Sequence, residues 1–257
     1  DSYLEVYLKN DLSYFLDFDT FNGPQWSTES LLINDDKLYV AINNAYEYGN
    51  YKGIIGIVDL NTLTYLEEID LGENGNNPIN MMYKDNFIYT INNKNWDGSS
   101  ISRINSTDLN TETINLSDIS SGCGVSIIRE NKINYQINND NQIYKFNLDS
   151  MSETGLEENL EFNYYTFSEN PINSYLYASI SNFVSNSEIV IYNQNNDIIN
   201  SFLSGVATGK IVFDIRNSFI SDLIEHNTQN YVIQSVDLFG RTTQKKNQLV
   251  IDIFDNG

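Results

Sequence analysis

Short apolar runs separated by polar turns recur along this chain. The clearest unit has four runs, at residues 29–33, 37–42, 54–59 and 65–71. Runs of this length that are rich in Ile, Val and Tyr and bounded by Asn, Asp and Gly predict β-strands. The first two runs are almost continuously apolar, whereas the fourth alternates. We therefore expect inner strands that are buried on both faces and an outer strand that is half exposed to solvent.

The turn between the third and fourth runs carries a phrase that returns in degraded form. Its best copy is Val58-Asp59-Leu60-Asn61-Thr62-Leu63-Thr64-Tyr65, and the spacing averages roughly 45 residues. Further copies lie at residues 6–14, 107–113, 146–150, 192–196 and 236–240. Four strands repeated at this period predict an all-β fold, a β-propeller of four-stranded antiparallel blades.

The same order of runs predicts the number of blades. Further units are expected at 79–116, 125–161 and 163–203, and a fifth begins with a strand at 210–214 and continues through strands at 219–224 and 231–238. The N-terminal copy contains only a third and a fourth strand, at 4–8 and 14–18, and the run at 249–254 is expected to complete that blade. This predicts one domain over residues 1–257 with about six blades, or seven. Two β-sandwiches are the rival all-β architecture.

The charge balance narrows the class of partner. The chain carries 14 Lys and Arg against 35 Asp and Glu, a formal net charge of −21. A nucleic-acid-binding protein needs a basic surface to neutralise phosphates, so we expect no nucleic-acid partner. No apolar run approaches the length of about 18 residues that a transmembrane helix requires. An acidic surface favours a basic partner or serves solubility.

Catalytic and metal-binding motifs are sparse. His226 is the only histidine and Cys123 the only cysteine, and no Gly-rich phosphate loop is present. Because metal and acid–base sites need clustered His, Cys or carboxylates, the sequence predicts a protein that is not an enzyme and has no cofactor. The alternative is an enzyme that uses His226 or carboxylates at the channel mouth. A calcium site is a weaker hypothesis, with the oxygen ligands Asp17, Asp19 and Asn22.

The long loops between second and third strands are the best candidates for binding. Tyr and Trp among Asn and Gly provide rigid aromatic area together with adaptable hydrogen bonds. Equivalent loops are expected to project from one face of the propeller. An aromatic residue in the first inter-blade loop is expected to face the mouth of the central channel. The candidate binding residues are therefore Trp26, Tyr46, Tyr48, Tyr51, Asn92, Asn93, Trp96 and Asp97.

Two resemblances add an expected location. Tyr39-Val40-Ala41-Ile42-Asn43-Asn44, followed by Gly56-Ile57-Val58-Asp59-Leu60-Asn61-Thr62 and Ile69-Asp70-Leu71-Gly72, resembles the YVTN-type propeller repeat. That family includes surface and periplasmic propeller lipoproteins of Bacteroidota, which are usually binding modules. The resemblance therefore implies an extracytoplasmic protein, at the outer membrane, on the cell surface or in the periplasm.

The C-terminus suggests a different domain organisation. Residues 231–241, which end in Asp237-Leu238-Phe239-Gly240-Arg241, and the strand at 249–253 resemble the β-rich sorting domain of type IX secretion cargo. The resemblance implies the alternative of a propeller at 1–216 and a sorting domain at 217–257. A blade accounts for the same residues.

Together these observations predict a binding module of the bacterial envelope. The first hypothesis is a non-enzymatic propeller that binds a protein partner in an outer-membrane or surface assembly. The alternative is a receptor for a small ligand, such as a glycan or a corrinoid-like nutrient, held by the aromatic loops. Type IX secretion cargo is a further alternative.

Overall fold

The computed structural model describes residues 4–18, 28–42, 52–118, 125–137, 140–215, 232–237 and 250–254. These residues form β-strands and one turn of 3-10 helix. The chain divides into two compact units, residues 1–213 and 214–257.

The described residues of the first unit form a hairpin and four sheets of four antiparallel strands, each sheet running through its strands in sequence order. The hairpin is β1 (Leu4–Tyr7) and β2 (Tyr14–Phe18). The first sheet is β3 (Thr28–Asn34), β4 (Lys37–Ile42), β5 (Ile54–Asp59) and β6 (Thr64–Asp70). The second sheet is β7 (Pro78–Lys84), β8 (Phe87–Asn92), β9 (Ser100–Asn105) and β10 (Thr111–Asn115).

Two further sheets complete this unit. The third is β11 (Ser126–Arg129), β12 (Lys132–Gln136), β13 (Ile143–Asn147) and β14 (Ser152–Glu157). The fourth is β15 (Thr166–Glu169), β16 (Leu176–Ile180), β17 (Asn186–Tyr192) and β18 (Ile198–Val206). The predicted positions of these four blades are confirmed.

Burial within the sheets follows the apolar pattern, with one correction. β4 and β5 are almost wholly buried, and β6 alternates. The first strand of this sheet, β3, also alternates, and its Leu31 and Ile33 are exposed. The prediction that it would be buried on both faces was wrong: β3 is an edge strand, whereas the buried strands β4 and β5 each have a neighbour on both sides.

The sheets pack face to face in sequence order. Leu4 and Phe18 of the hairpin pack against Val40 and Ile42 of the first sheet. Three further apolar clusters join the first sheet to the second, the second to the third and the third to the fourth. The first strands β3, β7, β11 and β15 contact one another in that order. Face-to-face stacking of antiparallel sheets around their first strands is the β-propeller arrangement, so the predicted fold class is confirmed.

The hairpin turns explain the recurring phrase. Asp59 Oδ1 accepts hydrogen bonds from the backbone N–H groups of Asn61 (2.9 Å) and Thr62 (2.7 Å). Asn147 Oδ1 does the same for Asp149 (3.0 Å) and Ser150 (2.9 Å). An Asp or Asn at the end of the third strand therefore starts the turn with its own side chain.

The second copy of the phrase was placed wrongly. The residue equivalent to Asp59 is Asn105 rather than Asp108. Asn105 ends β9, and its side chain accepts a hydrogen bond from the N–H of Thr107 (2.8 Å). The left-handed residues that close these turns, Leu63 and Leu109, confirm the shift, since each lies four positions after the turn-starting residue.

Residues 208–215 correct another prediction. The run 210–214 was expected to be a strand, but this stretch forms none. Its residues up to Phe213 follow β18 in the first unit, and the ring of Phe213 meets the ring of Tyr177 on β16 edge-on at 5.1 Å.

The second unit contains β19 (Val232–Asp237) and β20 (Val250–Phe254), which pair antiparallel with Val236 opposite Ile251. Both were predicted as strands. With them the described residues form six sheets, four of four strands and two of two, which agrees with about six blades. The shared closing blade stays a prediction.

Candidate binding face

One face of the propeller carries the loops between second and third strands. Every four-stranded sheet is traversed in the same order, so these loops leave each sheet at the same end, together with the connections between sheets. Gln136 joins a loop to a connection of this kind. Its Nε2 donates to the carbonyl of Asp140 (3.0 Å) in the loop between β12 and β13, and to the carbonyl of Phe162 (2.8 Å) in the connection between the third and fourth sheets. We call this surface the loop face.

Half of the predicted binding residues can be placed. Trp26, Tyr46, Tyr48 and Tyr51 lie outside the described residues, as do His226 and Cys123. Asn92, Asn93, Trp96 and Asp97 lie in and after β8, within the second sheet.

Asn92 is not an exposed recognition residue. Its side chain is fully buried, and its Nδ2 donates to Ser100 Oγ (2.9 Å) and Ser102 Oγ (2.9 Å) on β9. Its Oδ1 accepts from Thr90 Oγ1 (2.7 Å). Both amide hydrogens and the carbonyl are thus used inside the sheet, where an unpaired polar group would be costly. The prediction of an accessible Asn92 was wrong for this reason.

Asn93 is also buried, and it fastens the loop to the preceding connection. Its Oδ1 accepts a short hydrogen bond from the side-chain amide of Asn77, and its backbone N–H donates to the carbonyl of Asn77 (3.2 Å). The N–H of Lys94 donates to the carbonyl of Asn76 (3.1 Å), and Lys94 Nζ donates to Asn115 Oδ1 (3.0 Å). Asn93 therefore holds the loop against the preceding connection and is not exposed for recognition.

The connection that holds this loop is itself closely packed. The backbone of Gly53 approaches Gly75 so closely that a Cβ at position 53 would lie 1.8 Å from the carbonyl oxygen of Gly75. The N–H of Leu71 donates to the carbonyl of Gly53 (2.9 Å). A side chain at position 53 would have to push the two backbones apart.

Trp96 and Asp97 remain accessible. Residues Lys94–Trp96 form the 3-10 turn, in which the N–H of Trp96 donates to the carbonyl of Asn93 (2.8 Å). Trp96 is 46% exposed, and its backbone is left-handed at φ 69°. The loop that carries it is held by the hydrogen bonds of Asn93 and Lys94. An exposed aromatic ring on a fixed turn can bind with little loss of conformational entropy.

Sequence reasoning missed a second aromatic loop on this face. Residues 181–185 join β16 to β17, and the side chains of Phe183 and Val184 are 60% and 86% exposed. Asn182 Oδ1 accepts from the N–H groups of Val184 (3.0 Å) and Ser185 (2.9 Å), so the turn is defined by its own side chain. The ring of Phe183 also rests edge-on against Tyr165 at 4.9 Å.

The connection between the third and fourth sheets adds a further aromatic residue. Phe162 is exposed, and its ring contacts that of the buried Tyr164 at 6.1 Å. Carboxylates surround these apolar groups, since Glu73, Asp97, Asp118 and Glu161 all lie in exposed positions on connections of the loop face. The face therefore presents aromatic side chains within an acidic surrounding.

The calcium hypothesis rests on one placed residue. Asp17 Oδ1 accepts a hydrogen bond from the hydroxyl of Tyr14 (2.6 Å), which raises the pKa of Tyr14 to about 12. Asp19 and Asn22 lie outside the described residues, so calcium binding stays a prediction. Within the described ranges, no three His, Cys, Asp or Glu side chains are grouped closely enough to hold a metal ion.

A cavity of about 350 Å³ lies between the first strands. Its polar lining includes Glu29, Ser30, Asn80, Thr166 and Lys210. Asn80 Nδ2 donates to the carbonyl of Ser126 (2.9 Å), so the amide also joins the second sheet to the third. The cavity differs from the loop face because its polar groups are hydroxyls and an amide with one cation and one carboxylate, beside the apolar Leu31 and Ile79.

The comparisons with known proteins include one solved structure of low similarity. A crystal structure of the Cps50 (Swd1) β-propeller domain from Myceliophteria thermophila matches with a TM-score of 0.49 and 11% sequence identity, covering 70% of this chain and 56% of that one. No protein-family model matches the sequence, and no curated protein matches it. The described part of the chain contains no helix with the length and apolar character needed to span a bilayer.

Proposed function

We propose that this protein is a non-enzymatic β-propeller that binds a protein partner through its loop face. One observation carries the proposal: connections from different blades expose Trp96, Phe162, Phe183 and Val184 on the same face. Large aromatic groups of this kind form the energetic centres of protein interfaces, where each costs about 2 kcal/mol or more when truncated.

The way these groups are held supports binding rather than incidental exposure. Trp96 sits on a turn fastened to the connection at 71–77, and Phe183 on a turn closed by Asn182. Because both turns are ordered before binding, less conformational entropy is lost on association. The partner surface that fits them is apolar at its centre.

Charge defines the rim of that partner. Glu73, Asp97, Asp118 and Glu161 are exposed on this face of a chain whose net charge is −21. A partner with Lys and Arg around its apolar centre would be attracted over long range, and its association rate would fall as salt screens the charges.

We further propose that the complex belongs to the bacterial envelope, as a subunit of an outer-membrane or surface assembly. The support is the resemblance of Tyr39-Val40-Ala41-Ile42-Asn43-Asn44 and its repeats to YVTN-type propellers. Fractionation of the native cells, with immunodetection of the chain, tests this location. Recovery only with the cytosol would contradict it.

Photo-crosslinking in native cells tests the binding face. A photoreactive residue replacing Phe183 should yield a specific crosslinked protein, which is then purified for affinity measurement. The variants Trp96→Ala and Phe183→Ala should each weaken its binding at least tenfold, which is about 1.4 kcal/mol. The matched control is Ile172→Ala, an exposed apolar residue in the turn between β15 and β16 on the opposite face. Equal effects of all three variants would refute the proposal.

A small polar ligand in the cavity is the second candidate. Pockets of this size hold small molecules, and the lining offers hydroxyl, amide, cationic and anionic groups, which suits a polyhydroxy compound. Calorimetric titration with a panel of monosaccharides and disaccharides tests it. Binding that is lost in Thr166→Val and Lys210→Ala, but kept in Lys52→Ala, would support this candidate. No heat of binding across the panel would exclude the saccharides tested.

A further inference from the structure

The outer strands of the four full sheets differ in how they guard their free edges. β6, β10 and β14 occupy equivalent positions, and each is interrupted by acidic residues. Charged side chains on an edge strand prevent it from pairing with another chain, because pairing would bury or oppose the charges. The guarding residues are Glu67, Glu68 and Asp70 on β6, Glu112 on β10, and Glu153 and Glu157 on β14.

β18 lacks this protection. Among the described strands it is the longest, with nine residues, and its sequence IINSFLSGV contains no charged residue. No described strand pairs with its outer edge. Its five large apolar side chains are all exposed: Ile198, Ile199, Phe202, Leu203 and Val206.

The acidity of the chain indicates what this strand can meet. With a net charge of −21, two copies repel each other over most approaches. An uncharged strand is a surface on which a second copy can approach without placing carboxylates against carboxylates. We propose that β18 pairs antiparallel with β18 of a second copy, about a twofold axis at Phe202, so that two four-stranded sheets become continuous.

The order of residues in β18 is self-complementary in this register. Antiparallel pairing about Phe202 places Phe202 opposite itself, Ile198 opposite Val206 and Asn200 opposite Ser204. These three pairs match in polarity, whereas Ser201 falls opposite Leu203 and Ile199 opposite Gly205. No pair in this register places like charges opposite each other, which would destabilise a sheet. The regular part of the ladder between β17 and β18, from Asn200 to Leu203, includes the central residue.

The same operation on β6 shows the contrast. A twofold axis at its central residue would place Glu67 directly opposite Glu67, and like charges opposite each other destabilise a pair. A twofold interface uses the same patch on both copies, so self-complementarity is the property that it requires. β18 has this property and β6 does not.

Sedimentation velocity of the full chain over a range of concentrations tests the pairing. The wild-type chain should form dimers, and Phe202→Glu should abolish them because two carboxylates would then face each other. Leu66→Glu, a matched change at an exposed position of β6, should leave the dimer intact. Circular dichroism confirms that each variant is folded. A wild-type chain that stays monomeric at its highest soluble concentration overturns the proposal, as does a dimer that survives in Phe202→Glu.

Disulfide trapping tests the register, in a Cys123→Ser background that removes the only native thiol. Phe202→Cys should crosslink efficiently, because directly opposed residues have Cα atoms about 4.5–5.5 Å apart, within disulfide range. Ser201→Cys should not, because its copies would be offset by two residues, about 8 Å apart. Equal crosslinking at both positions refutes the register. If the chain stays monomeric and position 202 instead crosslinks to an extended peptide, the partner strand of β18 is not a second copy of this chain.

Discussion

The second and fourth sheets have the same strand order but differ in where their polar and apolar groups lie. In the second sheet a buried amide, Asn92, is bonded to three hydroxyls, and the outer strand β10 is short and acidic. In the fourth sheet the outer strand is long, uncharged and largely apolar, and the loop between β16 and β17 exposes Phe183 and Val184. One repeat can therefore serve as scaffold in one blade and as contact surface in another.

The largest expected effect separates buried and exposed isoleucines of these two sheets. Ile104 on β9 is fully buried between the first and second sheets, whereas Ile199 on β18 is exposed. Ile104→Ala should lower the free energy of unfolding by about 3 kcal/mol, since it leaves a cavity, and Ile199→Ala by less than about 0.5 kcal/mol. Urea denaturation measures both. Similar losses would mean that β18 is covered by part of the molecule.

The next effect concerns the buried amide of the second sheet. Asn92→Ala removes the acceptor of Thr90 and a donor to each of two serines, all of them buried. We expect a loss of about 2 kcal/mol in the free energy of unfolding, because the Thr90 hydroxyl is left unpaired. The control is Asn200→Ala on the exposed β18, which should change stability little. If Asn92→Ala is neutral, the second sheet is not held by its polar network.

The sequence predicted the scaffold better than the contact surface. Strand runs and turn residues are local signals, so the four blades and the N-terminal hairpin could be read from them. The burial of Asn92 could not, because its partners Ser100 and Ser102 meet it only through the register of β8 with β9. Within the pattern Tyr89-Thr90-Ile91-Asn92-Asn93, a strand end and an exposed loop look alike.

Phe183 and Val184 were missed for a different reason. The predicted binding residues lie in the long aromatic loops of the first and second blades, whereas the short turn Ser181-Asn182-Phe183-Val184-Ser185 occupies the same position in the fourth. Asn182 followed by two apolar residues and Ser185 was a usable signal, since such a turn leaves the apolar pair at its tip. Position in the repeat would have been a better guide than loop length.

A buried polar pair also joins the fourth sheet to the connection before it, through Tyr192 of β17 and Tyr164. The hydroxyls of Tyr164 and Tyr192 lie 2.8 Å apart, and both side chains are buried. Tyr164→Phe or Tyr192→Phe should each cost about 1 kcal/mol, because the remaining hydroxyl loses its partner. The double variant should cost less than the sum of the two single variants. Additive losses would show that the hydroxyls do not interact.

The same pair predicts a response to alkaline pH. Burial raises the pKa of both Tyr164 and Tyr192 above the ordinary value of 10.0. Folding thus favours the neutral hydroxyls, so their contribution to stability is complete below about pH 10 and is lost as the pH rises toward the folded-state pKa values. Denaturation across this range should show a shallower decline for the double phenylalanine variant than for the wild type. Parallel declines would assign the alkaline loss to other groups.

The smallest expected effect concerns the turns between third and fourth strands, which are built alike in the second and fourth sheets. Asn193 Oδ1 in the fourth sheet accepts from the N–H groups of Asn195 (2.8 Å) and Asp197 (3.0 Å), and Asn105 in the second accepts from Thr107 (2.8 Å). Asn193→Ala should cost about 1 kcal/mol and Asn105→Ala about 0.5 kcal/mol, because Asn193 also donates from Nδ2 to Asp197 Oδ2 (3.0 Å) and so loses more hydrogen bonds. Thermal denaturation resolves the difference. Both turns begin with an Asn side chain that accepts from backbone N–H groups. If the two variants lose much more unequal amounts of stability than this, the second and fourth blades differ in their hairpin turns as well as in their edge strands.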